Sequence, residues 1–225
     1  ELGTKWELLD KRLALTAAMF RNERRNYRVA DPGNPLNPSG EQQLDGRARV
    51  DGLALGVAGT LLPGWQLFAN YTYLDSQVVR GVSVSCFDNP SAACGNSATD
   101  RDPFAGNPLT NTPKHSGSLW TTYDLGDWTF GYGATYQGEF VVQNNSLDNQ
   151  PLFETDDYWV HRAMVGYALN ERLSLQLNVN NLLDETYYTR IRNNITFTNG
   201  VVTAGNGWAT PGEGRSAALT ATWRF

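Results

Sequence analysis

Between Leu173 and Asn180 the chain alternates strictly, with Leu173, Leu175, Leu177 and Val179 on one side and Ser174, Gln176, Asn178 and Asn180 on the other. A period of two describes a strand with one apolar and one polar face. The pattern recurs where Leu53, Leu55 and Val57 alternate with the small residues Ala54, Gly56 and Ala58. It recurs again where Trp65, Leu67, Ala69, Tyr71 and Tyr73 interleave with Gln66, Asn70 and Thr72. Phe68 and Leu74 break the polar parity there and are expected to touch something on the inner side. No run approaches the roughly 20 apolar residues of a membrane-crossing helix, and 40% of the 225 residues are hydrophobic. Helical membrane topology is thereby excluded. A β-barrel is not, because alternating strands give a membrane protein the overall polarity of a soluble one.

Aromatic spacing favours the barrel. Trp65 and Tyr73 are eight residues apart, and so are Trp128 and Tyr136 in WTFGYGATY. On a strand tilted by some 40° that is roughly 20 Å along the membrane normal, close to the separation of two interfacial girdles. A soluble sandwich has no reason to repeat this ruler. In the second strand the other parity is Thr129, Gly131, Gly133 and Thr135. In the strand from Lys114 to Leu125, Leu119 and Trp120 compete for the outer face.

The connections alternate as well. Short turns are expected near residues 9–12, 62–64, 126–127 and 170–172, and long loops near 26–40, 80–113, 143–157 and 191–214. Outer-membrane barrels place short turns on one membrane face and long loops on the other. Strands are expected over 3–9, 13–29, 41–62, 65–79, 114–125, 128–142, 158–169, 173–188 and 215–225, about nine in all. The basic half of the second strand, RNERRNYRV, cannot cross a bilayer although its apolar start can. The chain closes with Ala217, Leu219, Ala221, Trp223 and Phe225 on one parity.

Other classes find little support. A formal charge of −5 and the absence of a nucleic-acid motif argue against nucleic acid as a partner. There is no G-x-S-x-G, H-E-x-x-H or P-loop sequence, so no enzyme is expected. Asp148, Glu154, Asp156 and Asp157 lack the spacing of a calcium loop and read as a solvated face. Cys86 and Cys94 lie in a polar loop, where they form either a disulfide or two free thiols; neither His115 nor His161 stands at a zinc spacing, and no metal site is expected. No signal peptide is readable before Glu1.

The string Asn178, Val179, Asn180, Asn181, Leu182, Leu183, Asp184, Glu185, Thr186, Tyr187 resembles the N-V-x-N-L-x-D-x-x-Y signature of TonB-dependent outer-membrane receptors. GWQLFANYTYLDS, TPKHSGSLWTTYDL and the terminal TWRF resemble the same family, and most of all its ferric-siderophore receptors, with a lean to the catecholate type. The resemblance covers residues 1–225 as a C-terminal portion. It implies an all-β, antiparallel transmembrane β-barrel, of which this chain is a C-terminal fragment of about nine strands out of a 22-stranded barrel closed by a plug. Signal peptide, plug, TonB-contacting segment and first strands are expected to precede it, and Phe225 is expected to be the C-terminal assembly signal read by the barrel-assembly machinery. The implied activity is import of a ferric siderophore across the outer membrane of a Gram-negative bacterium with TonB-delivered energy. Iron would be carried by the siderophore, so no cofactor is implied. A passive porin or structural barrel is the alternative, then uptake of cobalamin, haem or carbohydrate.

Siderophore chelates are planar and often anionic, so cations and aromatics where the loops meet the barrel mouth are the ligand candidates. They are Arg21, Arg24, Arg25, Tyr27, Arg28, Arg101, Lys114, Arg190, Arg192 and Trp208. The competing role for these cations is contact with outer-membrane lipid, namely lipopolysaccharide phosphates, since half of them must point outward.

Overall fold

The computed structural model describes residues 1–31, 42–143, 153–192, 196–198, 201–203 and 207–225. Asp148 lies outside them. Fifteen strands occur among the described residues: β1 Leu2–Leu8, β2 Leu13–Ala30, β3 Gln42–Leu62, β4 Trp65–Arg80, β5 His115–Leu125, β6 Trp128–Gln137, β7 Val141–Gln143, β8 Phe153–Glu154, β9 Tyr158–Ala168, β10 Leu173–Asn180, β11 Tyr188–Arg192, β12 Thr196–Thr198, β13 Val201–Thr203, β14 Trp208–Pro211 and β15 Ser216–Trp223. Nine of them form one antiparallel sheet in the order β1-β2-β3-β4-β5-β6-β9-β10-β15. Each neighbour in this sheet is the next wall strand along the chain, so the wall is an up-and-down meander. The remaining strands pair as β7-β8, β11-β14 and β12-β13 within the long connections.

Direct cross-strand partners share a face, so the register sorts the wall into two surfaces. One row runs Ala17, Leu55, Tyr71, Gly117, Tyr136, Trp159, and another runs Trp65, Tyr123, Phe130, Val165, Leu177, Leu219. These rows are apolar and belong to the lipid-facing side. On the other parity, Thr16, Gly56, Asn70, Ser118 and Thr135 form a polar row beside a row holding Ala14, Ala58, Phe68, Trp120, Gly133 and Arg162. This is the lumen side. It settles the competition in β5: Leu119 faces lipid and Trp120 the lumen. A Cβ on Gly133 would stand 2.5 Å from the Trp120 ring, so glycine is what lets the indole lie against the neighbouring strand.

The register also fixes the tilt. Strands about 4.8 Å apart that rise about 3.3 Å per residue, tilted by about 40°, shift a level line by about 1.2 residues from the hydrogen-bonded row at each strand crossed. Trp6 pairs along its row with Leu15, Val57 and Ala69, four residues toward the long-loop end from Trp65 and three strands away. In the opposite direction Trp128 lies two residues below Phe130, which shares the row of Trp65 two strands off. Tyr167 shares the row of Trp128 on the next strand. Five strands from β4 the row of Trp65 meets Leu219, with Trp223 four residues and Phe225 six residues below it. All the offsets have one sign, and their size follows the tilt. Trp6, Trp65, Trp128, Tyr167 and Phe225 therefore form one level girdle at the short-turn end. The same stagger aligns Tyr73, His115, Tyr136, Trp159 and His161 at the other boundary, where Tyr73 packs on His115 with centroids 5.2 Å apart and Tyr136 on Trp159 at 4.7 Å.

A single-layer wall has no core of its own. Leu55 and Phe68, on opposite faces, are 42% and 48% exposed. Burial concentrates at the long-loop end, where Val29, Val78, Val82, Cys86, Phe140 and Val141 are buried.

Two strands are shorter than the alternation predicts. β6 stops at Gln137, with β7 resuming only at Val141. β10 stops at Asn180, and residues 181–187 form a turn rather than continuing the strand to the rim. Asn181 and Asp184 take left-handed backbone, with φ of 49° and 58°, a conformation that Asn and Asp tolerate and that ends a strand.

Candidate functional site

The connection between β4 and β5 carries a short helix, α1 (Val84–Asp88), and a 3-10 turn at Ala92–Cys94. Ser83 caps α1 by accepting from the Cys86 amide at 3.0 Å, and its hydroxyl donates to the fully buried Asp31 at 2.5 Å. Cys86 and Cys94 are bridged, with their Cα atoms 5.6 Å apart. Asn96 closes the same loop by donating to the carbonyls of Cys86 and Arg101 at 2.9 and 2.8 Å while accepting from the Ser91 amide. The segment is tied to the wall through Val84 N–H donating to Asp45 and Leu109 N–H to Ser76, and Gly81 N–H donating to Asp102 closes it on itself. On the chain-entropy account a loop this short is stabilised by about 2 to 3 kcal/mol. Mass spectrometry of the unreduced protein should therefore show no alkylation at Cys86 or Cys94, and two adducts after reduction; adducts without reduction would contradict the bridge.

This ordered loop presents a cationic aromatic cluster. The Arg80 and Arg101 guanidinium carbons each lie 5.8 Å from the centroid of the Phe87 ring. Tyr27 joins them by donating its hydroxyl to the Arg80 carbonyl at 2.8 Å. Its presence on this side depends on Asn26, whose φ of 60° interrupts the β2–β3 register between Arg25 and Tyr27. Without that bulge Tyr27 would share the outward parity of Arg25; with it, Tyr27 faces Gly46 on the lumen side. Burial pushes the Tyr27 phenol pKa up, the Asp102 charge adds to this, and Arg24 opposes it, so the hydroxyl stays a donor at neutral pH.

A second cluster pairs two candidates across β11 and β14: the Arg190 guanidinium lies 5.4 Å from the centroid of the Trp208 ring, and Arg192 is the direct partner of Trp208. Arg24, opposite Ala48, has lumen parity. Lys114 and Arg28 are exposed, and the alternation of β5 gives Lys114 lumen parity. Arg21 and Arg25 are on the lipid-facing parity. Arg21 grips Asp51 with two hydrogen bonds of 2.6 and 2.9 Å, and Arg25 holds Glu23 at 2.9 Å. Sequence reasoning named Arg101 and Tyr27 but missed Arg80 and Phe87. The available signal was an aromatic next to Cys86, held in place by the bridge.

The signature residues form a clasp. The buried Asn181 amide donates to the carbonyls of Glu185 and Glu213, both at 2.9 Å, and its carbonyl accepts from the Glu185 amide at 2.8 Å. Asp184 accepts from the Arg215 amide at 2.9 Å. The Tyr187 ring packs on Tyr158 with centroids 4.6 Å apart, and its carbonyl accepts from the Gly212 amide. A Cβ on Gly212 would fall 2.1 Å from the Tyr187 ring. Asn178 lies on the lumen face beside Gln176, Asn180 pairs with Ser216, and the Leu182 amide donates to the His161 carbonyl. The motif therefore fixes the start of β15 to the end of β10.

The family described as "TonB dependent receptor-like, beta-barrel" matches residues 1–182. The chain belongs to the TonB-dependent receptor family. Such receptors are outer-membrane β-barrels, and the nine-stranded meander is part of that wall. The chain is 36% identical over 225 residues to the probable TonB-dependent receptor BfrD of Bordetella pertussis, covering 98% of this chain and 26% of BfrD. Among solved structures it resembles the closed form of the ferric-catecholate import receptor Fiu of Escherichia coli K12, with 32% identity, a TM-score of 0.71 and coverage of 99% of this chain and 27% of Fiu. It matches the siderophore receptor PiuA of Acinetobacter baumannii at 35% identity and the same TM-score, covering 97% and 27%. The chain thus spans about a quarter of the length of these receptors. All three are named as receptors, and Fiu as an import receptor.

Proposed function

We propose that the chain is the C-terminal portion of a receptor that binds a ferric siderophore of the catecholate class at its outer mouth and imports it with TonB-delivered energy. The observation that carries this reading is the Arg80–Phe87–Arg101 cluster, two guanidiniums on one aromatic ring in a loop held by a disulfide. A ferric tris-catecholate is a polyanion with flat aromatic faces. Arginine and aromatic side chains meet both properties. Tyr27, Arg24 and the Arg190–Trp208 pair extend the same chemistry around the mouth. The names of Fiu and PiuA, a ferric-catecholate receptor and a siderophore receptor, support this choice of cargo. Iron arrives inside the chelate, TonB engages segments N-terminal to these strands, and the barrel-assembly machinery reads Phe225.

The test is growth, on single iron sources, of a strain in which the full-length receptor is the sole uptake route. Ferric catecholates should support growth, and Arg101→Ala with Phe87→Ala should raise the half-saturating chelate concentration about tenfold, or 1.4 kcal/mol. Growth on haem alone, or uptake unchanged in the double variant, would overturn the reading.

A further inference from the structure

Residues 80–84 lead directly into α1 and Phe87, and three side chains from β2, the residue after it and β3 hold them. The Tyr27 hydroxyl donates to the Arg80 carbonyl at 2.8 Å, the Val84 amide donates to Asp45 at 2.8 Å, and the Ser83 hydroxyl donates to Asp31 Oδ1 at 2.5 Å. The first of these is part-buried and the second exposed, so water competes for both. The third joins two side chains that are each 0% exposed. There a hydrogen bond to a carboxylate meets no competition and is at its strongest.

Asp31 stands just beyond β2 and takes no part in the wall ladder. Its Oδ2 is buried and has no hydrogen-bond partner among the described residues, and the Cys86 sulfur lies 4.0 Å from its Oδ1. Burying a carboxylate with one oxygen unmet is costly. The bond that offsets the cost goes to the residue that caps α1. With its proton committed to Asp31, the Ser83 oxygen is held toward the Cys86 amide at 3.0 Å, which sets the first turn of α1. Phe87 follows at once, with the Arg80 and Arg101 guanidinium carbons 5.8 Å from its ring centroid.

We propose that Asp31 is a positioning residue for recognition of the anionic, aromatic chelate. It touches no cargo. It fixes Ser83, Ser83 fixes α1, and α1 holds the Phe87 ring where both guanidiniums reach it. Without Asp31 the same ring and cations are present but become ordered only when the chelate binds, and that ordering cost is read as lost affinity. The inference rests on the Arg80–Phe87–Arg101 cluster being where the ferric chelate binds.

The experiment measures radio-iron uptake from a synthetic ferric tris-catecholate by cells whose sole route is the full-length receptor, with heat-modifiable migration reporting the folded amount. Asp31→Ala and Ser83→Ala should each raise the half-saturating concentration about fivefold at an unchanged maximal rate per folded receptor. The double variant should be no weaker than either single one, because both break the same link. Asp31→Asn, which keeps the acceptor for Ser83, should stay within about twofold of wild type. If Asp31→Ala does not fold, Ser83→Ala carries the same expectation from the other side of the bond. Wild-type half-saturation in the alanine variants, effects that multiply in the double variant, a lowered maximal rate at unchanged half-saturation, or Asp31→Asn as weak as Asp31→Ala would each overturn the proposal. Phe87→Ala/Arg101→Ala separates the two readings: if it is weakened while Asp31→Ala is not, only the positioning role fails, and if it binds as wild type the cargo reading fails and this one with it.

Discussion

Leu55→Arg should sharply reduce the amount of folded receptor in the outer membrane, whereas Ala54→Arg, one residue away, should be tolerated. Leu55 shares its row with Ala17 and Tyr71 on the lipid-facing side, and the stagger places it about midway between the two girdles. An arginine at that depth costs roughly 2 to 4 kcal/mol. Ala54 has Ala18 and Thr72 as partners, on the lumen side, where a guanidinium keeps its water. The fraction of heat-modifiable receptor in isolated membranes measures the difference. Equal loss at both positions would mean that the two surfaces are assigned wrongly.

The second large effect is expected at Asn181. Replacing it by Leu preserves volume but removes three part-buried hydrogen bonds, to the Glu185 amide and to the Glu185 and Glu213 carbonyls. Each such bond contributes about 0.5 to 1.5 kcal/mol, and Leu also resists the left-handed backbone that Asn181 adopts; a total of about 2 to 4 kcal/mol is expected. Asn181→Leu should lower the denaturant midpoint of the purified receptor and open the segment between β10 and β15 to protease. Wild-type protection would show that the clasp is incidental to stability.

The wall was legible in the sequence because lipid imposes a strict rule: every second residue must be apolar, and aromatics collect at two heights. That rule gave nine strands, their faces and the short turns. It failed where it stops applying. Asn181 to Tyr187 continues the right residue types but is a turn, held by the Asn181 side chain and by isolated backbone bonds such as Leu182 N–H to the His161 carbonyl in place of a continuous ladder. The choice between Leu119 and Trp120 depended on Gly131 and Gly133 in the adjacent strand, which no single-strand pattern contains. The site was harder still. Tyr27 reached the lumen side through a one-residue bulge at Asn26, and Arg80 and Phe87 meet only because the bridged loop folds back over β4. Long-range loop packing of this kind leaves no period in the sequence.

The stagger that levels the girdles has an engineering consequence. Because each wall residue is assigned to lipid or lumen by parity, inserting one residue into a wall strand exchanges the two faces of everything beyond it up to the next turn, while inserting two only lengthens the strand. In regular register the wall changes length in steps of two, and a single extra residue enters only as a bulge such as the one at Asn26. The long connections are under no such constraint, so residues can be added around the disulfide loop, one at a time and in any number, without disturbing the barrel below. The protein is thus divided between a part whose length is quantised and a part whose length is free, and the groups proposed to meet the cargo sit almost entirely in or beside the second.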